Sequence, residues 1–204
     1  MVISSSKNLS ESHNTSFDWG TRTYVMGIIN VTPDSFSGDG LSNNKYAAVE
    51  QGIAFESQGA DILDVGGQST RPGHTPITQE EELQRVIPVI KELASRVKIP
   101  ISIDKFFIVV ADEAVAMGAS IINDQWALNG DAEMASLASR LGVPIVLMHN
   151  QTNTEYQDLI SDIRNNLEQC VRKAKSHGIP MEHIIVDTGL GFGKTTQHNL
   201  TVVQ

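Results

Sequence analysis

"IPISIDKFFIVVADEAVAMGASIINDQ" (Ile99–Gln125) holds two short apolar runs, "IPISID" and "SIINDQ", with a longer segment of helical period between them. Gly118 follows that segment just before the second run, where a left-handed helix cap is easiest for glycine. Strand, helix and strand in this order are the signature of a parallel βαβ unit.

The same alternation extends in both directions. Candidate strands stand at Tyr24–Val31, Asp61–Gly66, Ile99–Asp104, Ser120–Gln125, Val143–His149 and His183–Asp187, and Gly59, Gly142 and Gly178 punctuate the segments between them as Gly118 does. "TQEEELQRVIPVIKELASRV" predicts a helix with Thr78 as N-cap, with Glu80, Glu81 and Glu82 in a solvated first turn, and with Leu83, Val86, Ile87, Ile90 and Leu93 on one face. Pro88 is expected to bend it. The fold class is α/β.

Composition sets limits on partners. The chain has 204 residues, 40% hydrophobic and 19% charged, which suits a single folded domain with a substantial core. A formal net charge of -9 argues against broad binding to nucleic acid or an anionic membrane, so an anionic ligand needs a local device. The one cysteine, Cys170, forms no internal disulfide and suits a reducing, cytoplasmic setting. No run reaches the ~20 apolar residues of a membrane span. Residues 1–16 have no apolar signal core and read as a flexible leader.

Candidate chemistry gathers at the strand ends. Asn30, Asp64, Asp104 and Asp187 close four strands, and Asn123 with Asp124 adds an adjacent pair in another. In an α/β barrel all these ends open on one face, where active sites are built. The glycine-rich "GLGFGKT" is no nucleotide cradle: only three residues separate Gly189 from the Gly193–Lys194 pair where a phosphate loop needs four, and the glycine spacing also fails the dinucleotide fingerprint. Lys194 reads either as a cation serving the site or as a solvated loop lysine.

Two long polar loops decide between these general readings and a specific one. "GIINVTPDSFS" and "DVGGQSTRPG", followed in order by "EEELQRVIPVI", "SID", "IIND", "LMH" and "GFGK", resemble dihydropteroate synthase of folate biosynthesis over roughly Phe17 to Gln204. The resemblance implies a TIM-type (β/α)8 barrel, incomplete here with about six β/α units over residues 17–204. It implies condensation of 6-hydroxymethyl-7,8-dihydropterin diphosphate with 4-aminobenzoate to give 7,8-dihydropteroate and diphosphate. It also implies Mg2+ held at Asn30, with Asp104, Asn123 and Asp187 lining the pterin pocket and Met148 and Phe192 forming its walls. Thr70, Arg71 and Pro72 would engage diphosphate and aminobenzoate, Ser35 and Phe36 would belong to a closing loop, and Lys194 would serve the site. Asp104, Asp187 and Arg71 carry the catalytic expectation. The family is commonly dimeric through late helices that are not among these units.

Three residues depart from the family pattern. Lys105 follows Asp104 and is expected to compete for it, Gln125 stands where an apolar residue is usual and is expected to make the pocket wetter, and Thr188 replaces a proline and is expected to loosen the Asp187 turn. Phe106 and Phe107 would pack into the barrel wall or stand near its mouth. With the last two barrel units lacking, the 204-residue chain alone is expected to be inactive or weakly active. The alternatives are a degenerate non-catalytic relative and a corrinoid-linked methyltetrahydrofolate methyltransferase domain.

Overall fold

The computed structural model describes residues 17–32, 41–67, 77–105, 107–131 and 133–204, with 41–44 described by their backbone. The elements, in chain order, are β1 (Met26–Asn30), α1 (Leu41–Ser57), β2 (Ile62–Gly66), α2 (Gln79–Arg96), β3 (Ile101–Asp104), α3 (Ile108–Ala116), β4 (Ile121–Asp124), α4 (Met134–Leu141), β5 (Ile145–Met148), α5 (Leu159–Ser176), β6 (Ile184–Asp187) and α6 (Thr196–Val203). All the predicted strands form, each trimmed by a residue or two at its ends. The leader proposed for residues 1–16 lies outside the described residues.

The strands make one six-stranded sheet in the order β1-β2-β3-β4-β5-β6, every pair parallel. Sequence-neighbour order is that of a barrel wall, since a doubly wound sheet reverses direction partway along. The chain therefore forms a partial (β/α) barrel, with β1 and β6 as the two edges of the sheet.

Strand alternation divides the apolar side chains into two sets. Leu63, Val65, Ile103, Ile122, Ile145 and Leu147 face the helices and join Val86, Ile90 and Leu93 of α2 in the main core. Ile62, Ile121 and Val146 point the other way, into the concave face, where Phe17 packs with them. Each fully buried Ile or Leu contributes about 1.5–3 kcal/mol. Phe17 also meets Trp19 and Tyr24, with ring centroids 4.9 Å away in both cases. Arg22 lies 4.0 Å over the Tyr24 ring and pairs with Asp61 at 2.5 Å.

Local signals explain most helix ends. Thr78 caps α2 by accepting from Glu81 N at 3.2 Å, as its sequence predicts, and α2 runs on through Pro88. Gly142 ends α4 in the left-handed region at φ 66°. The acidic first turn of α2 departs from expectation. Glu80 and Glu81 are exposed, but Glu82 is buried, because Gly67 leaves room beside it: a Cβ on Gly67 would come within 3.0 Å of Glu82 Cγ. Helix α6 buries no residue, and Leu200 and Val203 stand exposed on it.

Candidate active site

The alternation that buries Ile62, Ile121 and Val146 in the concave face also turns Asn30, Asp64, Asp104, Asn123, Met148 and Asp187 toward it. Asp104 stands opposite both Gly66 and Asn123 in the register, and Met148 stands opposite Asp187. Gly66 has no side chain to fill the place beside Asp104; a Cβ there would lie 3.2 Å from Asp104 Oδ2. Asp64 does not close its strand as the sequence suggests. It sits two residues before the end of β2, is buried, and accepts from Asn123 Nδ2 at 3.1 Å.

Burial is the chief cause of the electrostatics here. It pushes the Asp104 carboxyl well above the usual carboxylate range, with Asp64, Glu82 and Asp124 adding repulsion and Lys105 opposing them. Burial likewise raises Asp64, against the influence of Ser102 and Asn123. Asp64 Oδ1 and Ser102 Oγ have no hydrogen-bond partner among the described residues. A ligand offering N–H donors and a positive character would relieve both carboxyls.

Of the three sequence departures, Lys105 is placed differently from expectation. Lys105 does not take Asp104. The residue after an inward-facing one points outward, and Lys105 Nζ meets Asp124 Oδ1 at 3.8 Å with both side chains buried. Gln125 spends its polar group on the site itself, donating from Nε2 to Asp104 Oδ2 at 2.6 Å. Beside Thr188, Asp187 Oδ1 accepts from Gly189 N at 2.8 Å, a bond across the turn. Phe107 packs against the main core; Phe106 lies outside the described residues.

The loop after β6 is held by Lys194, which is buried and not solvated. Its Nζ donates to the carbonyl oxygens of Gly189 and Phe192 and contacts His149 Nδ1, each at 3.0 Å. Burial lowers its pKa to about 8, and burial first, then Lys194, lowers that of His149. Tyr156 joins the loop by donating to Gly193 O at 2.8 Å. Gly189 is at φ 70°, and a Cβ on it would overlap the carbonyl oxygen of His149. Met148 lies under this loop and Phe192 is half-buried in it, while Asn30 and Asp187 stand exposed at the two edges of the sheet. Sequence reading missed His149 and Tyr156; the polar end of "VPIVLMH" was the available signal for the first. Ser35, Phe36, Thr70, Arg71 and Pro72 lie outside the described residues.

Among the described residues no three His, Cys, Asp or Glu side chains gather to hold a metal, and no helix is long and apolar enough to cross a membrane.

Known proteins resemble this chain in sequence and in fold. A family model described as pterin binding enzyme matches residues 26–204. A dihydropteroate synthase of Clostridium beijerinckii is 48% identical over 184 residues, which is 90% of this chain and 68% of the relative. One of Bacillus subtilis is 46% identical over 89% of this chain and 64% of its own length. The chain thus spans about two thirds of the length of these relatives. Among solved structures, dihydropteroate synthase of Clostridium difficile in the presence of pteroic acid superimposes with a TM-score of 0.88 at 46% identity, over 92% of this chain and 72% of that one.

Proposed function

The chain belongs to the pterin-binding enzymes and, within them, to the dihydropteroate synthases, and from that premise we propose that its concave face binds 6-hydroxymethyl-7,8-dihydropterin diphosphate for condensation with 4-aminobenzoate. The observation that carries this reading is the arrival of Asn30, Asp104, Asn123, Met148 and Asp187, from five different strands, on one face at one end of the sheet. Capping of single helices does not account for that convergence.

In this reading Asp104, Asn123 and Asp187 accept from and donate to the polar edge of the pterin, and Met148 and Phe192 supply apolar contact with the ring. Condensation breaks the bond between the pterin methylene carbon and the diphosphate oxygen. The aminobenzoate nitrogen forms the new bond to that carbon and then gives up a proton to solvent. Positive charge spreads from the methylene into the ring as the old bond breaks, and carboxylates already in place beside the ring stabilise it without reorganising. Asn30 fits a Mg2+ held by one protein oxygen and substrate phosphates, since its carboxamide is exposed at the end of β1 and no carboxylate cage competes among the described residues. Such an ion, when bound, would supply charge stabilisation to the departing diphosphate. Arg71, with Thr70 and Pro72, is proposed for the diphosphate and aminobenzoate end, and Ser35 and Phe36 for a covering loop. The free, buried Cys170 suits a cytoplasmic enzyme.

Calorimetric titration of the 204-residue chain with the pterin diphosphate and Mg2+ tests the reading. Saturable binding that Asp104→Asn abolishes is expected; no saturable binding in the wild type would rule it out.

A further inference from the structure

The loop after β4 is more heavily constrained than a connector needs to be. Ala127 and Leu128 are consecutive non-glycine residues at φ 49° and 68°, a region side-chain-bearing residues seldom occupy, and such strain persists only where the surroundings enforce it. Here Asp124 accepts from Trp126 N at 3.1 Å and from Leu128 N at 2.7 Å. Lys105 meets the same carboxylate from the β3 side, and Lys173 of α5 donates to Leu128 O at 2.6 Å. Three elements therefore fix one short turn.

What that turn presents to the concave face is Gln125, whose Nε2 stands 2.6 Å from Asp104 Oδ2. Asp104 needs such a donor. The groups acting on it are Asp64 from β2, Glu82 from α2 and Asp124 from β4, all acidic, and Lys105, whose ammonium is engaged with Asp124. An apolar side chain at position 125 would leave Oδ2 without its donor. We infer that Gln125 is a positioning residue that holds Asp104 by Oδ2 and leaves Oδ1 to meet the N–H donors of the ligand, the Asp124 turn serving to keep Gln125 in place. The ligand side of this inference rests on the proposed pterin site; the Gln125–Asp104 contact does not.

The test uses the whole 204-residue chain with carboxyl-13C aspartate, the Asp104 signal being assigned by its loss in Asp104→Asn. Asp104 is titrated by NMR without ligand, and affinity for 6-hydroxymethyl-7,8-dihydropterin is measured between about pH 5 and pH 9, in wild type, Gln125→Leu and Lys173→Met. Gln125→Leu is expected to move the Asp104 midpoint up by about one pH unit, to weaken pterin binding about tenfold at neutral pH, and to recover affinity at higher pH. Lys173→Met removes a turn contact without taking a charge from beside Asp104, and is expected to shift the midpoint the same way by less. Gln125→Asn, too short to span the gap, replaces Gln125→Leu if that variant fails to fold. An unmoved Asp104 midpoint in the position-125 variant, or a pterin affinity lowered equally at every pH, would overturn the inference. An unmoved midpoint in Lys173→Met would overturn the role of the turn. A midpoint that moves in a protein whose wild type binds no pterin would support the Gln125–Asp104 assignment while removing the pterin reading.

Discussion

Lys105 is the chain neighbour of Asp104, yet its ammonium lies 3.8 Å from Asp124, one strand away, where the two side chains are only 2% and 7% exposed. Two charges this deeply buried are costly to separate, because removing one strands the other in a poorly solvating medium. The contact is long and Asp124 keeps two backbone N–H donors, so the cost belongs at the lower end of the range for such pairs. Lys105→Met is expected to destabilise the chain by about 3 kcal/mol, read from the midpoint and slope of urea unfolding. A loss below the error of extrapolation would contradict the pairing.

Asp104→Asn should act in the opposite direction on stability. Burial raises the Asp104 pKa above its ordinary 3.8, so between 3.8 and the raised value the folded chain binds more protons than the unfolded one. Stability from this group is therefore full at low pH and declines as pH rises through that window. Replacing the carboxyl with a neutral amide removes the decline. The variant is expected to melt higher than wild type at neutral pH, while the gap closes on acidification toward pH 3.8. Melting curves taken across that pH range decide the matter, and a variant that melts lower at neutral pH would be the contrary result.

Gly189 tests the loop after β6. Its positive φ and the His149 carbonyl leave no place for a Cβ, and its N–H holds the Asp187 carboxylate. Gly189→Ala is expected to cost at least ~1 kcal/mol and to weaken pterin binding as Asp187 is released. Thermal unfolding and calorimetric titration of the variant report the two effects separately.

Lys194 gives a signature in the alkaline range. Its pKa falls from 10.5 to about 8 on folding, so between those values the unfolded chain holds more protons and stability rises with pH. Protonated Lys194 is an expense to the fold below about 8, relieved as pH climbs toward 10.5. Comparing wild type with Lys194→Met should show the difference moving in favour of the wild type as the solution becomes more alkaline. Parallel melting curves with no such trend would mean that the ammonium is better solvated than its three close acceptors imply.

Much of this arrangement was legible in the sequence for one physical reason: a strand covered by helices must be apolar, and a strand end at an open face need not be. That contrast located β1 to β6 and the inward residues Asn30, Asp104, Asn123 and Asp187. What was not legible depended on contacts between elements. Helix rules put Glu82 in water because they do not see the space beside Gly67. Lys105 looked like a rival for Asp104 because adjacency in sequence hides the reversal of direction at each residue. The bond from Gly189 N to the Asp187 carboxylate, across the turn beside Thr188, was likewise invisible in the residue types alone. The two loops that made the family recognisable, around Ser35 and Arg71, lie outside the described residues.

Every strand of this sheet pairs only with the strand before it and the strand after it in the chain. A polypeptide leaving the ribosome can therefore add each β/α unit to a platform that already exists, with no strand waiting for one beyond the next. The inner polar residues enter in the same sequence, Asn30 first, then Asp64, Asp104 and Asn123, and Asp187 last. A stall after β4 would thus leave Asp64, Asp104 and Asn123 together in the nascent chain, with Asp187 still to come, so the growth of ligand affinity on a translating ribosome would follow the order of the strands.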